Sequence, residues 1–251
     1  MRPADIPADD ARAVLRHYTA AMDIIPAVDL KGGVVVHARG SARDDYRPIQ
    51  SRLAAGSAPA DVVAALCAVV SARQVYLADL DAIERRGDHD AVRAGLAAAF
   101  PALEFWVNAG VPAEAAPAWL AAQAGCLVLG SESQRDPAAV RALRDDPRVI
   151  LSLDFRGDAF QGPPEVLADE TLWPARVIVM MLARVGAAQG PDVAQVARIR
   201  TRGGAGRAVY AAGGVRDRAD LQALSAAGAA GALVATALHS GAIGRARGST
   251  P

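Results

Sequence analysis

The chain predicts an α/β fold, a (β/α)8 barrel built from two similar half-barrels, and three observations carry that prediction. Its 251 residues are close to the roughly 250 that one such barrel requires. From Asp23 onward, short apolar runs alternate with alanine-rich helical patterns, the rhythm of parallel strands joined by crossover helices. Segments of the first half also recur in the second: IIPAVDL (24–30) parallels VILSLDF (149–155), VNAGV (107–111) parallels AAGGV (211–215), and CLVLGS (126–131) parallels ALVATA (232–237). The matched segments are unequally offset, which places the length differences in loops.

Strands are predicted at Ile24 to Val28, Val75 to Leu80, Leu103 to Asn108, Cys126 to Leu129, Val149 to Leu153, Val177 to Leu182, Ala208 to Ala211 and Ala232 to Ala235. Each is a nearly continuous apolar run, as expected for strands buried on both faces. The segments 59–73, 88–100, 136–146 and 217–228 repeat apolar residues at helical spacing and open with Asp or Pro, which suit a first helical turn. An open doubly wound sheet would usually carry a Gly-rich dinucleotide turn after its first strand, and none is present, so a closed TIM barrel is the better reading.

Residues 22–251 form a single barrel in this reading, and residues 1–21 an N-terminal extension. Asp9 and Asp10 interrupt what would be the apolar core of a signal peptide, while Met22 offers a second start. No apolar run reaches the roughly 18 residues of a membrane span, so a cytoplasmic protein is expected. Lys plus Arg and Asp plus Glu both number 27, which argues against a nucleic-acid or membrane partner held by bulk charge. Cys67 and Cys126 are too few for a disulfide framework and read as reduced core residues. The four histidines, at 17, 37, 89 and 239, show no metal spacing, and neither a metal nor a cofactor is called for.

Asp29 and Asp154 each end an apolar strand, where this fold directs side chains toward its catalytic face. They come from equivalent places in opposite half-barrels. Such a pair can divide labour, one carboxylate acting as base and the other, kept protonated, as acid. Alternatively, both anchor loops or cap helices. After strands seven and eight, Gly213, Gly214, Ala235 and Thr236 make a candidate phosphate site, since loops there often present backbone N–H groups to an anion. Gly110, Gly130 and Ser131 are their weaker counterparts in the first half, beside Asn108 and Ala109. The connection after strand one is long and carries Arg39, Arg43, Arg47 and Arg52, consistent with a mobile lid that clamps an anionic substrate or with solvated charges paired to Asp44 and Asp45. Asp79, Asp81 and Arg184 are placed near the rim.

The motifs IIPAVDLKGGVVV, YLADLDAI, SLDF, AAGGV and ALVATALHSG together resemble the HisA/HisF family of histidine biosynthesis, over Asp23 to Gly244. The resemblance implies a two-fold repeated barrel acting on a small molecule with two phosphates, without a cofactor. In the isomerase branch it implies an Amadori rearrangement of an aminoaldose to an aminoketose, with Asp154 protonating the ring oxygen and Asp29 removing the C2 proton. The cyclase branch, which works with an ammonia-supplying partner, has no recognisable interface here. The chain departs from the isomerase pattern at NAGVPA after strand three, at RGDAFQGPPE after strand five and at LARVGAAQG after strand six. VVVHARG, LARVG and AAGGVRD look closer to a HisA-like offshoot of methanogens and methylotrophs associated with tetrahydromethanopterin-linked one-carbon metabolism. Three readings stay open: the histidine-pathway isomerase, a divergent enzyme on another phosphorylated substrate, and a noncatalytic phosphate-ligand-binding barrel. Oligomeric state is not legible.

Overall fold

The computed structural model describes residues 22–38 and 43–244. The predicted N-terminal extension (1–21), Arg39 and the side chain of Arg43 lie outside what is described. In chain order the strands are β1 (Asp23–Lys31), β2 (Val34–His37), β3 (Arg47–Pro48), β4 (Gln74–Asp79), β5 (Glu104–Asn108), β6 (Cys126–Gly130), β7 (Val149–Arg156), β8 (Ala159–Gln161), β9 (Arg176–Met181), β10 (Ala208–Ala212) and β11 (Gly231–Val234). β1, β4, β5, β6, β7, β9, β10 and β11 pair as parallel neighbours in that order, and β11 pairs back onto β1 with Asp23 opposite Gly231. That last pairing closes the barrel.

The helices are α1 (Pro59–Val70), α2 (Leu80–Ile83), α3 (Asp90–Ala99), α4 (Ala116–Ala122), α5 (Pro137–Ala142), α6 (Pro164–Ala168), α7 (Val193–Gly203), α8 (Arg218–Ala226) and α9 (Thr236–His239). Asp136, Asp192 and Asp217 cap α5, α7 and α8 by accepting from first-turn amides, which satisfies donors the helix cannot pair internally. All eight predicted barrel strands are present, with ends shifted by up to three residues.

Two antiparallel additions were not predicted. The VVV run after the Gly32–Gly33 turn folds back on β1 as β2, and β3 then pairs with β2, Val36 opposite Pro48. Much of the expected long loop is therefore tied down: Tyr46 and Ile49 are buried, and the Ile49 amide donates to the Val35 carbonyl at 2.9 Å. After β7, the strand β8 turns back with Phe160 opposite Phe155, so this connection is a hairpin as well.

Alternation along each strand divides the core into two layers. Ile25, Trp106, Val128, Ile150, Tyr210 and Leu233 pack in one cluster inside the barrel, whereas Val28, Leu77, Val107, Leu151 and Val179 pack in another against the helices. Trp106 and Tyr210 meet edge to face inside the barrel, ring centroids 4.9 Å apart. At the amino ends of the strands, Glu104 accepts from Trp106 Nε1 at 3.0 Å, from Arg176 at 3.0 Å and from the Cys126 thiol at 2.9 Å. Burial is the main force pushing that thiol up to about 11, so it stays protonated at neutral pH. A polar plug thus closes the bottom of the barrel, and the open mouth is at the carboxyl ends of the strands.

Candidate active site

Strand parity decides what faces the mouth. On β1 the inward series is Ile25, Ala27 and Asp29; on β7 it is Ile150, Ser152 and Asp154. Both aspartates line a cavity of about 390 Å³ together with Tyr76, Asn108 and Glu132. The structure brings the predicted pair to one pocket from opposite half-barrels. β4 runs in the same alternation, so Tyr76 and Ala78 point inward and Asp79 points away.

Asp154 is only 2 % exposed. Its Oδ1 accepts from Ser152 Oγ at 2.6 Å, and its Oδ2 accepts from the Glu132 amide at 3.1 Å. Its own amide donates to Ser131 Oγ at 2.9 Å. Ser131 Oγ also lies 3.4 Å from Oδ2, but its single proton is better spent on the Gln161 carbonyl at 2.6 Å. Burial raises the Asp154 carboxyl from 3.8 to about 7, with the nearby Glu132 charge adding to the rise and the Ser152 hydrogen bond opposing it. A substantial protonated fraction at neutral pH follows. Tyr76 accepts from Asn108 Nδ2 at 3.3 Å, and burial pushes its phenol well above the usual tyrosine range, so it remains a neutral hydroxyl.

Gly213, Gly214, Ala235 and Thr236 line the same cavity from the second half-barrel. Among the described residues no side chain caps α9, which opens at Thr236. The φ of Gly214 is +90°, and a Cβ there would strike the Gly190 carbonyl, so only glycine lets the two loops meet as the Gly190 amide donates to Gly214 O at 3.1 Å. The turn thus has a packing reason for its glycine besides any ligand. Arg216 lines the cavity too, yet its guanidinium is held by Asp220 at 2.8 and 2.9 Å.

The first-half counterparts are not brought to the cavity. A Cβ on Gly110, at φ +63°, would lie 2.8 Å from Ile83 Cα, so α2 covers this turn. Ser131 is fully buried beneath the β7–β8 hairpin, and Gly130 sits against Asn108 and Asp154. Among the rim candidates, Asp79 is 0 % exposed. It caps α2 through the Ala82 amide, accepts from the His89 amide at 2.9 Å and from Arg93, and meets His89 Nδ1 at 2.7 Å. Because the Gly33 amide donates to His89 Nε2 at 2.8 Å, the ring proton belongs on Nδ1, and the 3.3 Å approach of Asp81 to Nε2 is proximity rather than an ion pair. Asp81 instead accepts from the Gly32 amide at 2.8 Å. Asp79, His89 and Asp81 therefore pin the β1–β2 turn. Arg184 donates to the Gly190 carbonyl at 3.0 Å and pairs with Asp192 at 3.1 Å, bracing its own loop; Arg47 is exposed on β3.

Sequence reasoning missed Tyr76, Glu132 and Arg156, all of which line the cavity. Tyr76 carried a usable signal, since two-residue alternation back from the apolar wall puts it, and not Asp79, inside. Glu132 carried none: it follows a strand in an unpatterned turn.

Among the described residues no helix is long and apolar enough to cross a membrane, and no cluster of side chains suited to a metal is present. The profile of the family described as histidine biosynthesis protein matches residues 23–244. An imidazole-4-carboxamide isomerase with phosphoribosyl substituents in its name, from Halorhodospira halophila, is 31% identical over 237 residues, covering 88% of this chain and 93% of the relative. A phosphoribosyl isomerase A of Streptomyces griseus is 29% identical over 240 residues, covering 87% and 92%. An uncharacterized protein of Methanocaldococcus jannaschii is 26% identical over 229 residues, covering 88% and 94%. With a closed eightfold barrel, a repeated half and a profile running from the first strand to the last helix, the chain belongs to the histidine biosynthesis protein family, among relatives that include isomerases.

Proposed function

We propose that the chain is an aldose–ketose isomerase of the Amadori type, acting on a phosphorylated aminosugar with Asp154 as general acid and Asp29 as general base. The observation that carries this reading is the pair of carboxylates facing one cavity, one of them buried and raised to about 7. Protonation of the ring oxygen by Asp154 lets the C1–O bond break and leaves a Schiff base. Removal of the C2 proton by Asp29 then sends that electron pair toward C1, and the resulting enolamine takes a proton at C1 from Asp29 while its C2 hydroxyl gives one up to restore Asp154, leaving the ketose. Atoms and charge balance within one substrate and two carboxyl groups, so no redox partner enters. The turns at Gly214 and Thr236 supply backbone donors for a phosphate, and the neutral Tyr76 hydroxyl and Asn108 supply hydrogen bonds to the sugar.

A second reading keeps the chemistry and changes the substrate. It is favoured by the covered first-half turns, which lack the open anion site expected for a symmetric bisphosphate, and by the LARVGAAQG loop, whose Leu182, Val185 and Gly186 give the rim an apolar stretch. Mass spectrometry of the small molecule retained through native purification, followed by its turnover by the pure chain, separates the two. Retention and conversion of the histidine-pathway aminoaldose supports the first; conversion of a different phosphorylated compound, with none of the aminoaldose, supports the second. A phosphorylated ligand that is retained but never converted, by any preparation of the folded chain, overturns the isomerase reading.

A further inference from the structure

A second cavity of about 470 Å³ adjoins the mouth, and Thr236 and Ser240 line both. It lies between β2, the 49–55 segment and α9. His37, Ser51, Arg52 and His239 bring polar side chains to it, and among the described residues no aspartate or glutamate lines it. The mouth differs in carrying carboxyl groups, Asp29, Glu132 and Asp154, beside its two arginines, Arg156 and Arg216.

The side chains in this second cavity suit an oxyanion. His239 comes from the end of the chain and Ser51 from the first connection, yet they meet at 2.9 Å between His239 Nδ1 and Ser51 Oγ. Arg52 is exposed and enters no ion pair among the described residues. Burial, and then the neighbouring His37, push the His239 imidazole down to about 4. His37 from β2 and Arg52 from the connection are the titratable groups that line the cavity with it, and His37 opposes its protonation. An anion lodged among them relieves that opposition and accepts hydrogen bonds from the guanidinium, the imidazoles and the serine hydroxyl.

We propose that this side cavity is an oxyanion site, taking free phosphate or the phosphate of a monoester against His37, Ser51, Arg52 and His239. It shares Thr236 with the mouth but not the turn at Gly214, and neither Asp29 nor Asp154 lines it, so it is tested apart from the isomerase reading.

The test is NMR of the His37 and His239 imidazoles in the full chain, titrated with inorganic phosphate, with glucose 6-phosphate and with chloride at matched ionic strength. Saturable shifts of both rings with phosphate, absent with chloride, are expected. Arg52→Ala should weaken that binding at least about tenfold, because a hydrogen bond to a charged group is lost, while its melting temperature stays put. Saturation by glucose 6-phosphate as well assigns the site to monoesters; saturation by phosphate alone assigns it to the free ion. Shifts that follow chloride equally, or that persist unchanged in Arg52→Ala, overturn the proposal. So does binding that survives Arg52→Ala but disappears in Gly214→Ala, which places the anion at the mouth turn.

Discussion

Strands β4 and β9 occupy equivalent places in the two half-barrels and have the same length, yet they do different work. The third residue is Tyr76 in one and Ile178 in the other; the last is Asp79 in one and Met181 in the other. β5 and β10 repeat the contrast, ending in Asn108 and Ala212. The first half carries a polar wall in which Asn108 donates to the Tyr76 hydroxyl, and its turns are covered by α2 and by the β7–β8 hairpin. In the second half β9 and β10 present apolar residues, and the turns at Gly213 and Gly214 line the cavity. The two halves of the scaffold differ in this way: polar side chains line the cavity from β4 and β5, and glycine turns line it after β10.

The two aspartates are the point where the halves should still match, and they give the largest expected effect. Asp29→Asn and Asp154→Asn should each lower turnover of the identified substrate by roughly 100- to 10,000-fold, the usual worth of a general acid or base. Steady-state rates check this, and a variant retaining more than about a tenth of the activity breaks the pairing. Their stabilities should differ. Because the Asp154 carboxyl is raised from 3.8 to about 7, the proton it holds in the folded chain stabilises that state fully below 3.8. That contribution is lost as pH rises through about 7. Asp154→Asn should therefore gain stability relative to the parent as melting is followed upward across that window, and parental turnover should fall above it.

Next comes Asp79, whose counterpart is an apolar Met181. Removing a partner from a buried charged network costs about 3–5 kcal/mol, so Asp79→Ala should melt far lower while the folded fraction keeps its turnover per molecule. Loss of turnover at unchanged stability would return Asp79 to the rim. The glycine turns sharpen the asymmetry further. Gly110→Ala and Gly214→Ala each force a side chain into positive φ and a close contact, at about 1–3 kcal/mol by denaturant titration. Only Gly214→Ala should also weaken phosphate binding, and equal weakening in both would show that the first-half turn is open after all. Smallest is Arg184→Ala: its pair with Asp192 is partly exposed, and such pairs contribute about 0–1 kcal/mol, so chemical denaturation should register little change.

Much of this was legible in the residues. Eight apolar runs, helix starts at Asp136 and Asp217, and the internal repeat specify the barrel because each depends on local pattern. Parity also separates Asp29 and Asp154, which face the mouth, from Asp79, which does not. The rim assignment of Asp79, Asp81 and Arg184 rested on position alone; Gly32 and Asp192 lie in connections, and nothing in the helical pattern of 88–100 marks His89 as a partner of Asp79. Glu132 was invisible for the same reason.

The sequence by itself determined the closed barrel and the two inward carboxylates at the carboxyl ends of its strands, since hydrophobic period and strand ends are properties of neighbouring residues. Tertiary structure alone decided which repeated turns stay open. Gly110 is covered because Ile83 packs on it, and Ser131 is buried because its hydroxyl reaches the Gln161 carbonyl 30 residues away. Raising the Asp154 carboxyl to about 7 likewise took its burial among Ser152, Ser131 and Glu132, and burial of that kind is a product of the closed fold and not of any one segment.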